Sequence, residues 1–374
     1  MRTPREFRTR LDSARWLFST ALLVAALAPA HAEKWKMQYF YDKDNSALVF
    51  NDIQCPSAQR CMAAGIVQEG KHGKGVVLVT GNGGATWDTV EVKEHPLSLF
   101  FLNDSTGWMV TEGGIWRSGD SGRTWKRLAE HKGLLRTLFV SEQRGWAVGV
   151  PKLVLETRDG GVTWKPMEKA AAPMTSAETT GYYWIAFDRQ KRHGLIVGAS
   201  NPPQPRLPDW MDPERARLRR TPSTTILLET VDGGETWDSA DIRRLGELTR
   251  VRFGKSYALG LYQLPNSAAG ASEIAQFEDG AKAKPLPLAA DRSVRDLAIL
   301  DDNDVIAAAI ELPGKSHDLP VPGKVKMMRT GSLNTWIDMD VDYRAVASEL
   351  TLAVVDAHNA WVVTDTGMIL KLTE

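Results

Sequence analysis

The chain has 374 residues, 43% hydrophobic and 25% charged, with 46 basic against 46 acidic side chains. This is the composition of a folded globular protein, and it excludes a disordered, collagen-like or coiled-coil chain. No basic excess exists to attract a polyanion, so no nucleic-acid partner is expected.

The first 32 residues read as a secretory signal peptide. Arg2, Arg5, Arg8, Arg10 and Arg15 precede an apolar run over 16–28, which ends in Ala30-His31-Ala32, a small-x-small cleavage pattern. Cleavage near Ala32 leaves 41 basic and 44 acidic residues in a mature chain of residues 33–374, expected in the periplasm or outside the cell. The apolar run is shorter than the ~20 residues of a membrane span, so the mature chain is not expected to cross a membrane. Export makes Cys55 and Cys61, the only cysteines, a predicted disulfide that staples one short loop.

Five stretches then share one turn pattern: Thr80-Gly-Asn82-Gly-Gly-Ala-Thr-Trp87, Ser118-Gly-Asp120-Ser-Gly-Arg-Thr-Trp125, Thr157-Arg-Asp159-Gly-Gly-Val-Thr-Trp164, Thr230-Val-Asp232-Gly-Gly-Glu-Thr-Trp237, and a degraded Thr330-Gly-Ser-Leu-Asn-Thr-Trp336. Asp or Asn accepts hydrogen bonds from N–H groups two residues on, Gly tolerates positive φ, and Trp covers the next layer of sheet. Turn geometry explains these residues without a calcium or carbohydrate site at each copy.

Around each turn lie short strand patterns, four to a unit. The third unit takes 134–140, 145–149, 153–157 and a strand opened by Trp164; the second takes 97–102, 107–110, 114–118 and 125–128. Successive motif tryptophans, Trp87, Trp125 and Trp164, are 38 and 39 residues apart, close to the repeat of a four-stranded propeller blade. Between Trp164 and Trp237 there is one blade with an insertion, and between Trp237 and Trp336 there are two. The first of those two carries Glu278-Asp-Gly-Ala, where the motif is lost. The last unit, over 350–355, 360–364 and 368–372, lacks a fourth strand. Lys34-Trp-Lys-Met37 resembles Thr124-Trp-Lys-Arg127, so the N-terminal strand is predicted to complete that blade. The expectation is an all-β, seven-bladed propeller closed by its first strand, with no free sheet edge between its ends.

The units Gly145-Trp-Ala-Val-Gly-Val-Pro-Lys-Leu-Val-Leu-Glu-Thr-Arg-Asp-Gly-Gly-Val-Thr-Trp164 and Ala360-Trp-Val-Val-Thr-Asp-Thr-Gly-Met-Ile-Leu370 resemble the photosystem II stability and assembly factor family, within the wider Asp-box (BNR) propellers that include sialidases and sortilin-type receptors. The resemblance implies the fold and, for the photosynthetic branch, a lumenal scaffold for newly made reaction-centre subunits. Sialidases need three converging arginines, a Tyr nucleophile with its Glu, an acid Asp, and an Arg-Ile-Pro signature. That tripeptide does not occur; the corresponding region reads Leu48-Val-Phe-Asn-Asp-Ile53.

No catalytic constellation is found. Gly-x-Ser-x-Gly, phosphate-binding Gly loops and His-Glu-x-x-His are missing, and His72, His95, His131, His193, His317 and His358 stand singly, so neither metal nor cofactor is expected. The candidate partner-binding residues are Arg206, Trp210, Arg215, Arg217, Arg219 and Arg220, in a Pro-rich insertion at 201–221. Further insertions at 264–271 and 312–324, with a shorter loop at 69–75, are expected to form a wall on the face opposite the Asp boxes. The functional expectation is a monomeric, non-catalytic scaffold or assembly factor for an exported or membrane protein. The alternative is a carbohydrate-active enzyme or lectin, with Tyr182, Tyr183 and Trp184 as an aromatic platform.

Overall fold

The computed structural model describes residues 33–171, 173–201, 203, 223–243, 246–264, 271–277, 283–301, 303–312 and 323–374. Residues 33–374 form one compact unit. The predicted signal peptide lies outside the described residues.

Seven antiparallel blades follow one another along the chain, over 46–92, 96–130, 134–166, 180–243, 247–285, 292–341 and 350–373. Burial is greatest in the middle strands of each blade and least in the fourth, and composition follows it. Second strands such as Gly107–Thr111 and Gly145–Gly149 are buried at every residue, because both sheet faces press on neighbouring blades. Fourth strands such as Asp88–Val92 are largely exposed and polar. Each apolar cluster joins two consecutive blades, so the core is a ring of seams.

The seventh blade has three strands of its own and takes Lys34–Phe40 as its fourth, antiparallel to Met368–Thr373 with Trp35 opposite Leu372. The N-terminal strand also makes a short parallel bridge to Ile337–Val341 through Lys34 with Asp340 and Trp35 with Val341. Blades six and seven therefore form one eight-stranded sheet, where separate four-stranded blades were expected. The buried indole of Trp35, its N–H 3.5 Å from Met339 Sδ, brings the two outer edges together. Arg329 anchors the start of the strand by pairing with Glu33 at 2.6 Å.

The Asp-box turns differ from the sequence expectation in one respect. The Ser or Thr at the head of the box is a hub: Thr157 Oγ1 accepts from Asp159 N and Gly161 N and donates to Asp159 Oδ1. The Asp reaches four residues on, where Thr163 N and Thr163 Oγ1 donate to its two oxygens at 2.9 and 2.5 Å. The same pattern holds in the turns of Asp120 and Asp232; at Asn82 the N–H of Thr86 again donates to Oδ1, but Nδ2 donates to Thr86 Oγ1. Positive φ is required even where glycine is lost, at Ser121 (62°) and Leu333 (61°).

The hairpin of the first blade runs from Cys61–Glu69 directly into His72–Thr80 with Glu69 opposite His72, so the loop expected at 69–75 is a tight turn. Cys55 and Cys61 form the disulfide, between the first and second strands of that blade. The three longer insertions come between the second and third strands of blades four, five and six, whereas the Asp boxes come between third and fourth strands. Most of their residues, including Arg206, Trp210, Arg215, Arg217, Arg219 and Arg220, lie outside the described ones.

Candidate functional site in the central channel

Six of the seven innermost strands carry a register shift at the same place, before Asp52, Ser98, Arg136, Trp184, Arg250 and Asp296. The seventh strand is regular and places Thr351 there, opposite Val363. A bulge re-aims the side chain beside it, and closing the ring brings these residues to one level of the channel. The level above, toward the Asp-box face, holds Gln54, Phe100, Leu138, Ala186, Arg252, Ala298 and Ala353, all of which line a cavity of about 320 Å³.

The lower level is charged. Asp52 is 1% exposed and Asp296 fully buried. Each spends both carboxylate oxygens on backbone: Asp52 accepts from Ile53 N and Leu99 N, and Asp296 from Leu297 N and Leu352 N. These bonds tie blade one to blade two and blade six to blade seven. Arg136 lies 3.4 Å from Asp52, and Arg252 pairs with Asp296 at 2.9 Å.

Three guanidinium groups surround one indole, with Arg136, Arg250 and Arg252 standing 4.2, 4.5 and 4.7 Å from the ring centre of Trp184. Cation–π attraction strengthens when such a contact is desolvated. Arg250 is the least satisfied: Nη1 donates to Thr249 O at 2.9 Å, while Nε is buried without an acceptor. Desolvation pushes this guanidinium below the usual arginine range against the pull of Asp296. Three fixed cations against two carboxylates already committed to backbone N–H groups leave the channel floor short of negative charge, a suitable seat for a carboxylate.

The residues singled out from sequence fall elsewhere. The Asp-box tryptophans enter the seams between blades instead of merely covering a sheet: Trp87 packs between blades seven and one, Trp125 between one and two, Trp164 between two and three. Trp237 and Trp336 do the same between three and four and between five and six. Of the proposed aromatic platform, Tyr182 is core, with its hydroxyl donating to Ala170 O, and Trp184 is the residue beneath the arginines. Arg136, Arg250, Arg252, Asp52 and Asp296 carried no sequence signal, because a bulge leaves no local motif. Among the described residues no cluster of His, Cys, Asp and Glu has the geometry of a metal site, and no helix is long and apolar enough to cross a membrane.

A family model described as photosynthesis system II assembly factor YCF48 matches residues 128–203. No match is found among curated proteins. Among solved structures, YCF48 from Cyanidioschyzon merolae is 17% identical, with 91% of this chain and 98% of that chain covered and a TM-score of 0.58. A structure described as YCF48 bound to D1 peptide is 14% identical over 90% and 99%, with a TM-score of 0.60. The chain is thus a BNR-type propeller that resembles the photosystem II assembly factor, and at these identities the structural likeness establishes the fold.

Proposed function

We propose that this protein is an exported, non-catalytic scaffold of the assembly-factor type, which binds a segment of a partner protein and seats one of its carboxylates in the central channel. The observation that carries the reading is the group of Arg136, Arg250 and Arg252 around Trp184, of which Arg136, Arg252 and Trp184 line the channel cavity. The likeness to a propeller solved with a bound peptide supports a peptide as occupant. The Arg-rich segment 201–221 lies between the second and third strands of blade four along the chain and remains part of the proposal as a separate contact with the partner.

The test is calorimetric titration with a synthetic acidic peptide ending in a free carboxylate, and with its C-terminal amide. A charge-assisted contact is worth about 1.5–3 kcal/mol. Arg250→Met is therefore expected to weaken binding of the free acid at least about tenfold and to leave the amide unaffected. Equal affinity for acid and amide in the wild-type protein would remove the channel from the reading. Deletion of 201–221, followed by partner recovery from a periplasmic extract, tests the second contact; unchanged recovery removes it.

A further inference from the structure

Six of the seven seams contain a tryptophan at one structural position. Strand register makes the position explicit. Trp237 of blade four immediately precedes Asp238, the residue opposite Glu229, and Trp35 lies opposite Leu372 in blade seven. In blade five Phe277 ends the third strand opposite Ala258 and Ala283, and Gln276 faces Lys284. Ala283 therefore stands where the other blades place Trp, and Phe277 where the five Asp-box blades place Ser or Thr. The seam between blades four and five also lacks a ring stack that two other seams carry. Trp108 and Trp146 stack on Phe139 and Phe187 of the following blades, at 3.7 and 5.2 Å between ring centres; the residue of blade four at that position is Leu195.

Leu195 and Phe277, the partner of Ala283, both line open space here. A cavity of about 460 Å³ lies in this seam, within the size range of small-molecule sites. Its wall keeps Phe253, the counterpart of Phe139 and Phe187, which contact the Asp-box tryptophans edge to face at 6.0 Å. Phe139 is 1% exposed, whereas Phe253, Leu195, Leu227 and Phe277 are only partly covered. Val231, at the mouth, is 65% exposed. The rim carries Asp188, Glu229 and Asp238 against Lys255 and His193. His193 pairs with Glu229 at 2.6 Å and packs its ring on Phe253, and Lys255 pairs with Asp301 at 2.7 Å.

We propose that the seam between blades four and five is a binding site for a planar aromatic ring system of about indole size bearing a cationic group. The apolar walls select the ring, since an indole fills the equivalent space in every other seam, and the acidic rim selects the positive charge. The site lies between blades, divided from the channel cavity by Val251 and Phe253, which line both, and does not depend on the function proposed above.

Calorimetric titration of the whole protein with tryptamine and with indole-3-acetate tests it. Tryptamine is expected to bind at one site per chain, at least tenfold more tightly than indole-3-acetate. Ala283→Trp restores the seam residue and is expected to abolish tryptamine binding while raising Tm. Leu195→Trp supplies the ring that Trp108 and Trp146 supply in their own seams and gives the same test if the first variant does not fold. Arg250→Met, in the channel, should bind tryptamine as the wild type does. No saturable binding of tryptamine, equal or tighter binding of indole-3-acetate, binding that survives in a folded Ala283→Trp or Leu195→Trp variant, or binding that fails in Arg250→Met would overturn the proposal.

Discussion

Trp35, at the start of the described chain, lies opposite Leu372, two residues from its end, and its indole is fully buried between blades six and seven. The ring is closed by the same side chain that fills a seam. Trp35→Ala should therefore cost more than an ordinary surface-strand change, about 3–5 kcal/mol for a buried aromatic. Guanidinium unfolding checks this. A fall in midpoint of less than about 1 kcal/mol equivalent would show that the closing strand adds little to stability.

The channel carboxylates hold the ring from inside. Asp296→Ala strands two backbone N–H groups and the Arg252 guanidinium, and should destabilise by about 3–5 kcal/mol. Asp296→Asn keeps an amide oxygen as acceptor and should recover part of that loss. Unfolding curves of the two variants should separate clearly; coincident curves would mean that the carboxylate hydrogen bonds are not the stabilising element.

The Asp-box turns impose a pH dependence. Hydrogen bonds from the hydroxyl and N–H of Thr163 hold Asp159 down to about 2, and those from Thr236 act on Asp232 in the same direction. Unfolded Asp titrates near 3.9, so between about pH 4 and pH 2 the unfolded state binds more protons. The stabilisation is complete above that window and is lost as pH falls through it. Asn82 fills this role in blade one, with Nδ2 donating to Thr86 Oγ1. Asp159→Asn should thus retain the turn and flatten the fall of Tm across the window. An unchanged slope would count against the assignment.

The Cys55–Cys61 disulfide closes a loop with a sequence separation of six. Chain-entropy arguments give about 2 kcal/mol for so short a loop. The double variant Cys55→Ala, Cys61→Ala should fold and lose about that amount in chemical denaturation. A loss near zero would place the stabilisation in the surrounding strands.

Blade number, the position of the Asp-box turns, the tryptophans and the closing strand were all legible along the chain. Each rests on local chemistry: a hydroxyl, a carboxylate and glycines within eight residues set one hairpin, and repetition of the hairpin sets the repeat. The fusion of blades six and seven, the level of Asp52, Arg136, Trp184, Arg250 and Asp296, and the unfilled seam beside Ala283 were not legible. Bulges in separate strands leave no periodic trace. Arg136 and Arg252 meet the same indole only because closure of the ring makes distant strands neighbours. An alanine in a strand signals nothing until the register shows that every other blade keeps a tryptophan at its place. Local hydrogen bonding wrote the repeat into the sequence, and the convergence of seven strands on one axis decided what faces the channel and which seam is open.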